Sequence, residues 1–360
     1  MRMKRFVKKK IVQKEIKKER KNELALALKF ANDKHMHLTS TEIEKAKNLW
    51  GEIATPCTDE YEVFKFFHGF DERFLGHELY LPIIARRLND YKYTKYYENK
   101  NMMDLFKSNA MFPRVILRCV NGEIYDAMMH QYNDKKAQEL IEKEYSDMII
   151  KPAVDSANGN HVCKIDKNKK IENLRNEYGS DWLIQECVKQ SGDLASFNIS
   201  SVNTFRVTSL YLNGLFSVCN IIFRFGNPGS VVDNASSGGN FIGVQNDGTL
   251  YDNSFDAALN VKSNHNGIIF RNIKFDFIPH MLKSIEQWHT ESFSLCKFIG
   301  WDIAVDEMGN FIVLEINSSQ PGIFVEQIAT GKPIFMDRTE EVIEYVKKKD
   351  FTYGRSMFRY

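Results

Sequence analysis

The stretch WDIAVDEMGNFIVLEINSSQPG, residues 301–322, constrains the fold more than any other, because it sets acids into strands that otherwise read as buried. Asp302 opens a short apolar run that continues through Ile303, Ala304 and Val305. Asp306 to Asn310 is turn chemistry, with Gly309 free to take positive φ. Phe311 to Ile316 is rich in β-branched and aromatic residues and reads as a buried strand, yet Glu315 sits inside it and Asn317 follows two residues later. Side chains at i and i+2 of a strand share a face, so Glu315 and Asn317 project together. If the two runs pair about the turn, Asp302 lies across from the far end of the second strand and faces the same pair. Two carboxylates and an amide oxygen on one side of a sheet form an all-oxygen cluster, which suits Mg²⁺ or Mn²⁺ and suits Zn²⁺ or copper poorly. The alternative is an edge hairpin with its acids in water, for which Val313, Leu314 and Ile316 give little reason.

A chain of 360 residues is long enough for a large core and for two or three structural units. No apolar stretch approaches the length that spans a bilayer, and the basic start leads into more charge rather than into the apolar core of a signal peptide. Six cysteines at wide, irregular spacings form no CxxC pair and read as reduced residues of a cytoplasmic protein. The nine histidines show no HExxH spacing. The net charge of +2 hides an asymmetry: residues 1–22 carry eleven Lys or Arg against two Glu, so +9 there leaves −7 for the rest. A mildly acidic body argues against a general nucleic-acid binder. The basic segment reads as a solvated helix end, with peripheral docking on an anionic membrane at the inner face as the alternative.

The chain is predicted to be α+β in three parts. Residues 1–95 form a basic helical lead-in, with helices over ELALALKFAN, over TEIEKAKNLWGEI with Thr41 as N-cap, and over LPIIARRLNDYKYTKYY. Residues 96–190 form a smaller α+β unit, opened by a hairpin around Asn121-Gly122 and closed by the strand WLIQECV. Residues 191–360 form a larger unit that is mostly strands, with a second hairpin around Asn213-Gly214 and a helix near 279–295 before the opening motif. The Gly- and Ser-rich loop Val231–Asn240 reads equally as a surface turn or as a phosphate or acceptor contact through Asp233 and Asn234.

Within the smaller unit, Lys151 ends the apolar strand Met148-Ile149-Ile150, and the small-residue loop of Ser156, Ala157, Asn158 and Gly159 follows at once. Backbone N–H groups of such a loop cradle phosphate oxygens, with the lysine as a point charge beside them; a lysine at a strand end is otherwise snorkelling to water. With these residues in view, the arrangement resembles the ATP-grasp superfamily of carboxylate–amine ligases over roughly 96–330. The run SVNTFRVTSL…VDNASSGGNFIGV…FIGWDIAV…LEIN is most similar to its sugar-transfer-associated branch.

The resemblance implies an ATP-grasp fold, two α+β lobes clasping ATP. It makes Asp302, Glu315 and Asn317 the ligands of two Mg²⁺ ions, with Mn²⁺ as a substitute, the two acids standing thirteen positions apart. It makes LIQECV the hinge, so Gln185, Glu186 and Val188 meet adenine, with Asp193 at the ribose. Lys100, Lys151, Ser156, Gly159 and Asn203 join the nucleotide set, and Arg206 and Arg224 steady phosphates as catalytic residues. One departure stands out. D-alanine–D-alanine ligase has an arginine two residues before its first metal acid; Gly300 stands here, so Arg206 or Arg224 has to supply that charge. The implied reaction passes the γ-phosphoryl of ATP to a substrate carboxylate, and an amine then displaces phosphate to leave an amide. The implied setting is a sugar carboxylate in surface polysaccharide (capsule) synthesis. The alternatives are a kinase of the same fold acting on a sugar hydroxyl, and a nucleotide-binding protein without catalysis.

Overall fold

The computed structural model describes residues 29–30, 33–56, 58–154, 161–227 and 238–349. Two antiparallel sheets dominate. The smaller has six strands: β1 (Val115–Val120), β2 (Glu123–Tyr125), β3 (Gln131–Tyr132), β4 (Met148–Pro152), β5 (Cys163–Ile165) and β6 (Trp182–Glu186), in the order β3-β2-β1-β6-β4-β5. Of the later strands, β7 (Thr204–Leu212), β8 (Leu215–Phe225), β9 (Asn240–Val244), β10 (Leu250–Asp256) and β11 (Val261–Lys262) belong to the larger sheet. A separate ribbon pairs β12 (Asn264–His265) with β13 (Ile268–Ile269). The large sheet is completed by β14 (Phe298–Val305) and β15 (Phe311–Asn317), in the order β11-β10-β9-β8-β7-β14-β15.

The Asn-Gly pairs at 121–122 and 213–214 make the turns their chemistry favours. Asn121 and Gly122 take φ of 49° and 85°, Asn213 and Gly214 take 51° and 80°, and the strands pair right up to each turn, Val120 with Glu123 and Leu212 with Leu215. Positive φ at both central residues matches the right-handed twist of the flanking strands.

The faces of the large sheet divide the work. Phe205, Val207, Ile299, Trp301 and Ile303 point to one side, where they pack with Ile278, Met281 and Ile285 of the helix Ile278–Gln287. On the other side Leu210, Leu212 and Phe298 pack beneath Leu79, Ile83, Ile84 and Leu88 of the N-terminal region and Val342 and Val346 of the helix Thr339–Lys347. Further along that face, helix Phe324–Thr330 lies on β8 and β9. The small sheet has its own core, in which Ile116, Cys119 and Ile184 meet Ala137 and Ile141 of helix Asp134–Lys143 and Leu174 of helix Ile171–Tyr178.

Two helix assignments need correction. Thr39, not Thr41, caps the helix Ser40–Trp50, its hydroxyl accepting from the Glu42 amide while the Glu42 side chain reaches back. That reciprocal pairing satisfies two otherwise orphaned donors, which Thr41 inside the first turn cannot do. The segment LPIIARRLNDYKYTKYY is also not one helix. It breaks at Asn89 and restarts at Tyr91 behind the cap Asp90. Asn89 is taken by the sheet: its Nδ2 donates to the carbonyls of Phe298 and Ser318, and its Oδ1 accepts from the amides of Lys297 and Phe298. Four hydrogen bonds to a buried amide outweigh the single helical turn that is lost. Residues 1–22, Ser156, Gly159, Asp233 and Asn234 lie outside the described residues.

Candidate active site

On β14 the residues that share a face with Phe298 run Phe298, Gly300, Asp302, so that face changes from apolar to acidic within one strand. Register sets the neighbours. Asp302 stands opposite Arg206 of β7 on one side and Glu315 of β15 on the other, Gly300 stands opposite Asn317, and Thr204 opposite Arg224 of β8. Directly opposed residues of an antiparallel pair share a face. A strip of charged and amide side chains therefore crosses four strands: Arg224, Arg206, Asp302, then Glu315 with Asn317.

Within the strip Arg206 grips Asp302 with both prongs, Nε donating to Oδ1 at 2.5 Å and Nη2 to Oδ2 at 3.0 Å. Arg224 adds an ion pair to Oδ1 at 3.0 Å and rests on the Thr204 hydroxyl at 2.7 Å. Burial alone would raise the Asp302 carboxyl, but the two guanidinium groups outweigh it and hold the acid at about 2. The Asn317 amide donates to Asp302 Oδ2 at 3.4 Å. Gly300 has a physical reason. A Cβ there would lie 3.4 Å from Arg206 Cδ and 3.3 Å from Pro321 Cβ, so the missing side chain leaves room for the stem of Arg206.

Two lysines approach from outside the large sheet, Lys151 from the small sheet and Lys100 from the turn after helix Tyr91–Glu98. Lys151, at the end of β4, donates to the carbonyl of Leu314 at 3.3 Å, and Lys100 pairs with Glu315 at 2.7 Å. Burial, with Lys100 close by, pushes the Lys151 ammonium down to about 8 against the opposing pull of Glu315. Lys100, Met103, Phe112, Lys151, Gln185 and Leu314 line a cleft between the two sheets. There Gln185 donates to the Pro113 carbonyl at 3.3 Å, while its buried Oε1 accepts no hydrogen bond among the described residues. Two backbone amides of LIQECV are already used, Glu186 by the Arg114 carbonyl and Cys187 by the Asp147 carbonyl. The Glu186 carboxylate holds Arg114 at 2.7 Å, and Val188 lies half-buried just past the strand.

Not every expected residue gathers here. Asp193 is exposed on the one-turn helix Gly192–Ala195. Asn203 is fully buried, and its Nδ2 is shared among Gln190 Oε1 and the carbonyls of Leu194 and Asn198, so the structure uses it as a brace of its own loop. Two acids went unnoticed in the sequence. Glu98 accepts the amides of Ser318 and Ser319 at 2.7 and 2.5 Å and so pins the loop after Asn317. Glu326 is fully buried behind Arg206, 3.6 Å from its Nη1. The signal for Glu326 was present: one acid in the apolar run IFVEQIA.

The donor set fits a hard divalent cation, since Asp302, Glu315 and Asn317 offer only oxygen ligands on one rigid face. Four cations, Lys100, Lys151, Arg206 and Arg224, lie around the two strand acids, an arrangement whose chemistry suits a polyanion.

A model of the sugar-transfer associated ATP-grasp family matches residues 84–343. The chain belongs to that family. This ATP-grasp chain matches no curated protein. Among solved structures it is similar to the L-amino acid ligase from Bacillus licheniformis at 11% identity, covering 72% of this chain and 48% of that one with a TM-score of 0.40. It is similar to VanG D-Ala:D-Ser ligase from Enterococcus faecalis at 10% identity, covering 70% and 60% with a TM-score of 0.38. The ATP-grasp ligase PsnB, solved with its minimal precursor, Mg and ADP, is 13% identical over 69% of this chain and 57% of its own, with a TM-score of 0.36. The chain thus spans about half to three fifths of the length of these ligases. No helix among the described residues is long and apolar enough to cross a membrane.

Proposed function

We propose that this chain is an ATP- and Mg²⁺-dependent ligase that joins an amine to a carboxylate through an acyl phosphate. The family membership supports a sugar carboxylate as substrate, an amino acid or other amine as its partner, and a place in surface polysaccharide biosynthesis. The observation that carries the reading is the strip on the large sheet, where Asp302 stands between Arg206 and Glu315, with Lys151 reaching in from the small sheet and Lys100 from the turn after helix Tyr91–Glu98.

In this reading the nucleotide lies in the cleft between the sheets, with adenine toward Gln185, Glu186 and Val188 and the triphosphate toward Lys100 and Lys151. Asp302, Glu315 and Asn317 would hold the cation, which supplies charge neutralisation on the phosphate oxygens when bound. Arg206 and Arg224 face the transferring phosphoryl group. The substrate carboxylate attacks the γ-phosphorus, the bond to the β-bridging oxygen breaks, and ADP leaves. The amine then attacks the acyl carbon, the bond to phosphate breaks, and a proton leaves the nitrogen as the amide forms. Positioning and preorganised charge carry the catalysis, so no protein nucleophile is required.

A mixed anhydride opens to any strong nucleophile. With a panel of uronic and amino acids, hydroxylamine in place of the amine is expected to give a hydroxamate, one ADP released per hydroxamate. An ATP-dependent phosphate ester on a sugar hydroxyl, with the carboxylate untouched, would overturn the ligase reading in favour of a kinase.

A further inference from the structure

Among the described residues, Glu326 is a buried carboxyl that the site as read so far does not use. It sits in helix Phe324–Thr330, fully buried, and neither carboxyl oxygen accepts a hydrogen bond from another described residue. Leaving a buried carboxyl without hydrogen bonds costs on the order of several kcal/mol, so a folded chain keeps one where another arrangement satisfies it. A cation within reach is Arg206, whose Nη1 stands 3.6 Å from Glu326 Oε1 while its Nε and Nη2 are engaged with Asp302.

We propose that Arg206 has two carboxylate stations, and that Glu326 is the second: when a divalent cation takes Asp302, the guanidinium leaves Asp302 for Glu326. The inference rests on reading Asp302 as a metal ligand. Two guanidinium groups and a dication on one carboxylate repel each other in a desolvated site, and moving one guanidinium relieves that repulsion. Arg224 is the less free of the two, because Nε and Nη2 both rest on the Thr204 hydroxyl. Arg206 has a clear path. A Cβ on Gly322 would stand 3.1 and 3.4 Å from the two Glu326 oxygens and 3.5 Å from Arg206 Nη1, and one on Gly300 would stand 3.4 Å from Arg206 Cδ. Two glycines thus border the route between the stations. Glu326 is in this account a positioning residue, acting on the metal only through Arg206.

The test measures Mn²⁺ binding by electron paramagnetic resonance on the full chain with saturating AMPPNP. In E326Q the guanidinium has no second carboxylate and keeps competing for Asp302, so Mn²⁺ affinity is expected to fall about tenfold or more, the size typical of a lost outer-shell partner. AMPPNP affinity without metal is expected to be unchanged. E326D, which keeps the charge, should recover part of the loss. In an R206Q background, E326Q should have no further effect. Wild-type Mn²⁺ affinity in a folded E326Q, or an equal loss in the R206Q background, overturns the proposal. Failure of wild-type protein to bind Mn²⁺ at all instead overturns the reading of Asp302, and this proposal with it. If E326Q does not fold, a wild-type crystal structure with AMPPNP and Mg²⁺ decides: Arg206 on Glu326 supports the proposal, and Arg206 still bidentate on a metal-bound Asp302 overturns it.

Discussion

At the scale of single residues, the site is an exercise in charge held out of water. Glu315 is the acid of the strand pair that stays partly exposed, at 31%, and in this structure it balances Lys100. If it bridges the cations, Glu315→Ala is expected to lower ADP release on the order of 10³-fold at saturating Mg²⁺. Retention of more than about a tenth of wild-type turnover, a loss under roughly 1.4 kcal/mol, rules that role out. Lys151 gives a pH prediction. Its ammonium titrates at about 8 in the folded chain against 10.5 as its ordinary value. Between those values the unfolded chain binds more protons, so this group makes stability rise with pH across that window, and the cost of burying its charge is fully in force below about 8. Phosphate attraction runs the other way. ATP affinity measured by calorimetry should fall as pH rises through about 8, and Lys151→Met should be weaker at neutral pH and lack that slope. The wild-type slope persisting in Lys151→Met would assign the titration elsewhere.

Among the elements, helix Phe324–Thr330 links the stability of the sheet to the geometry of the site. It seats on β9 because Gly243 has no side chain: a Cβ there would lie 2.5 Å from the Ala329 carbonyl oxygen and 2.8 Å from Tyr251 Cδ2. Gly243→Ala has to lift the helix or shift the strand, and is expected to cost about 1–3 kcal/mol in urea unfolding. An unchanged midpoint would mean that the helix is held elsewhere. The loop Ser318–Gly322 depends on an element in the same way. Glu98, last residue of helix Tyr91–Glu98, satisfies the Ser318 and Ser319 amides, so the restart of that helix at Tyr91 fixes where the loop begins. The helix break at Asn89 was not legible in LPIIARRLNDYKYTKYY, because its cause lies on β14, 209 positions away.

For the whole molecule, two antiparallel sheets meet along a cleft, and the N-terminal helices do not stand apart from them. Trp50, Leu79 and Ile84 share a core with Leu210 and Phe298 of the large sheet and with Val342 of helix Thr339–Lys347. Residues 1–22 carry +9 against −7 for the remainder, which leads to a prediction about location. At about 1 kcal/mol per basic residue near an anionic bilayer, even partial engagement would hold the protein there reversibly and in a salt-sensitive way. A chain starting at Glu23 should keep its ADP release and lose cosedimentation with anionic vesicles. Equal cosedimentation would end the idea.

What the sequence determined by itself was local. Alternation along FIVLEIN placed Glu315 and Asn317 on one face, the Asn-Gly pairs at 121–122 and 213–214 specified two hairpins, and the length and composition of the chain required a large core. These follow from strand pleat and turn sterics, which act over a few residues. Only the tertiary structure decided that Arg206 and Arg224 clasp Asp302, that Lys151 reaches Leu314 from another sheet, and that Glu326 stands behind Arg206. Arg206 and Asp302 are 96 positions apart in the chain, and Lys151 and Leu314 are 163 apart. No local periodicity encodes which strand lies beside which, because that choice is made by burying apolar faces together, and the charged residues are carried to their partners by it.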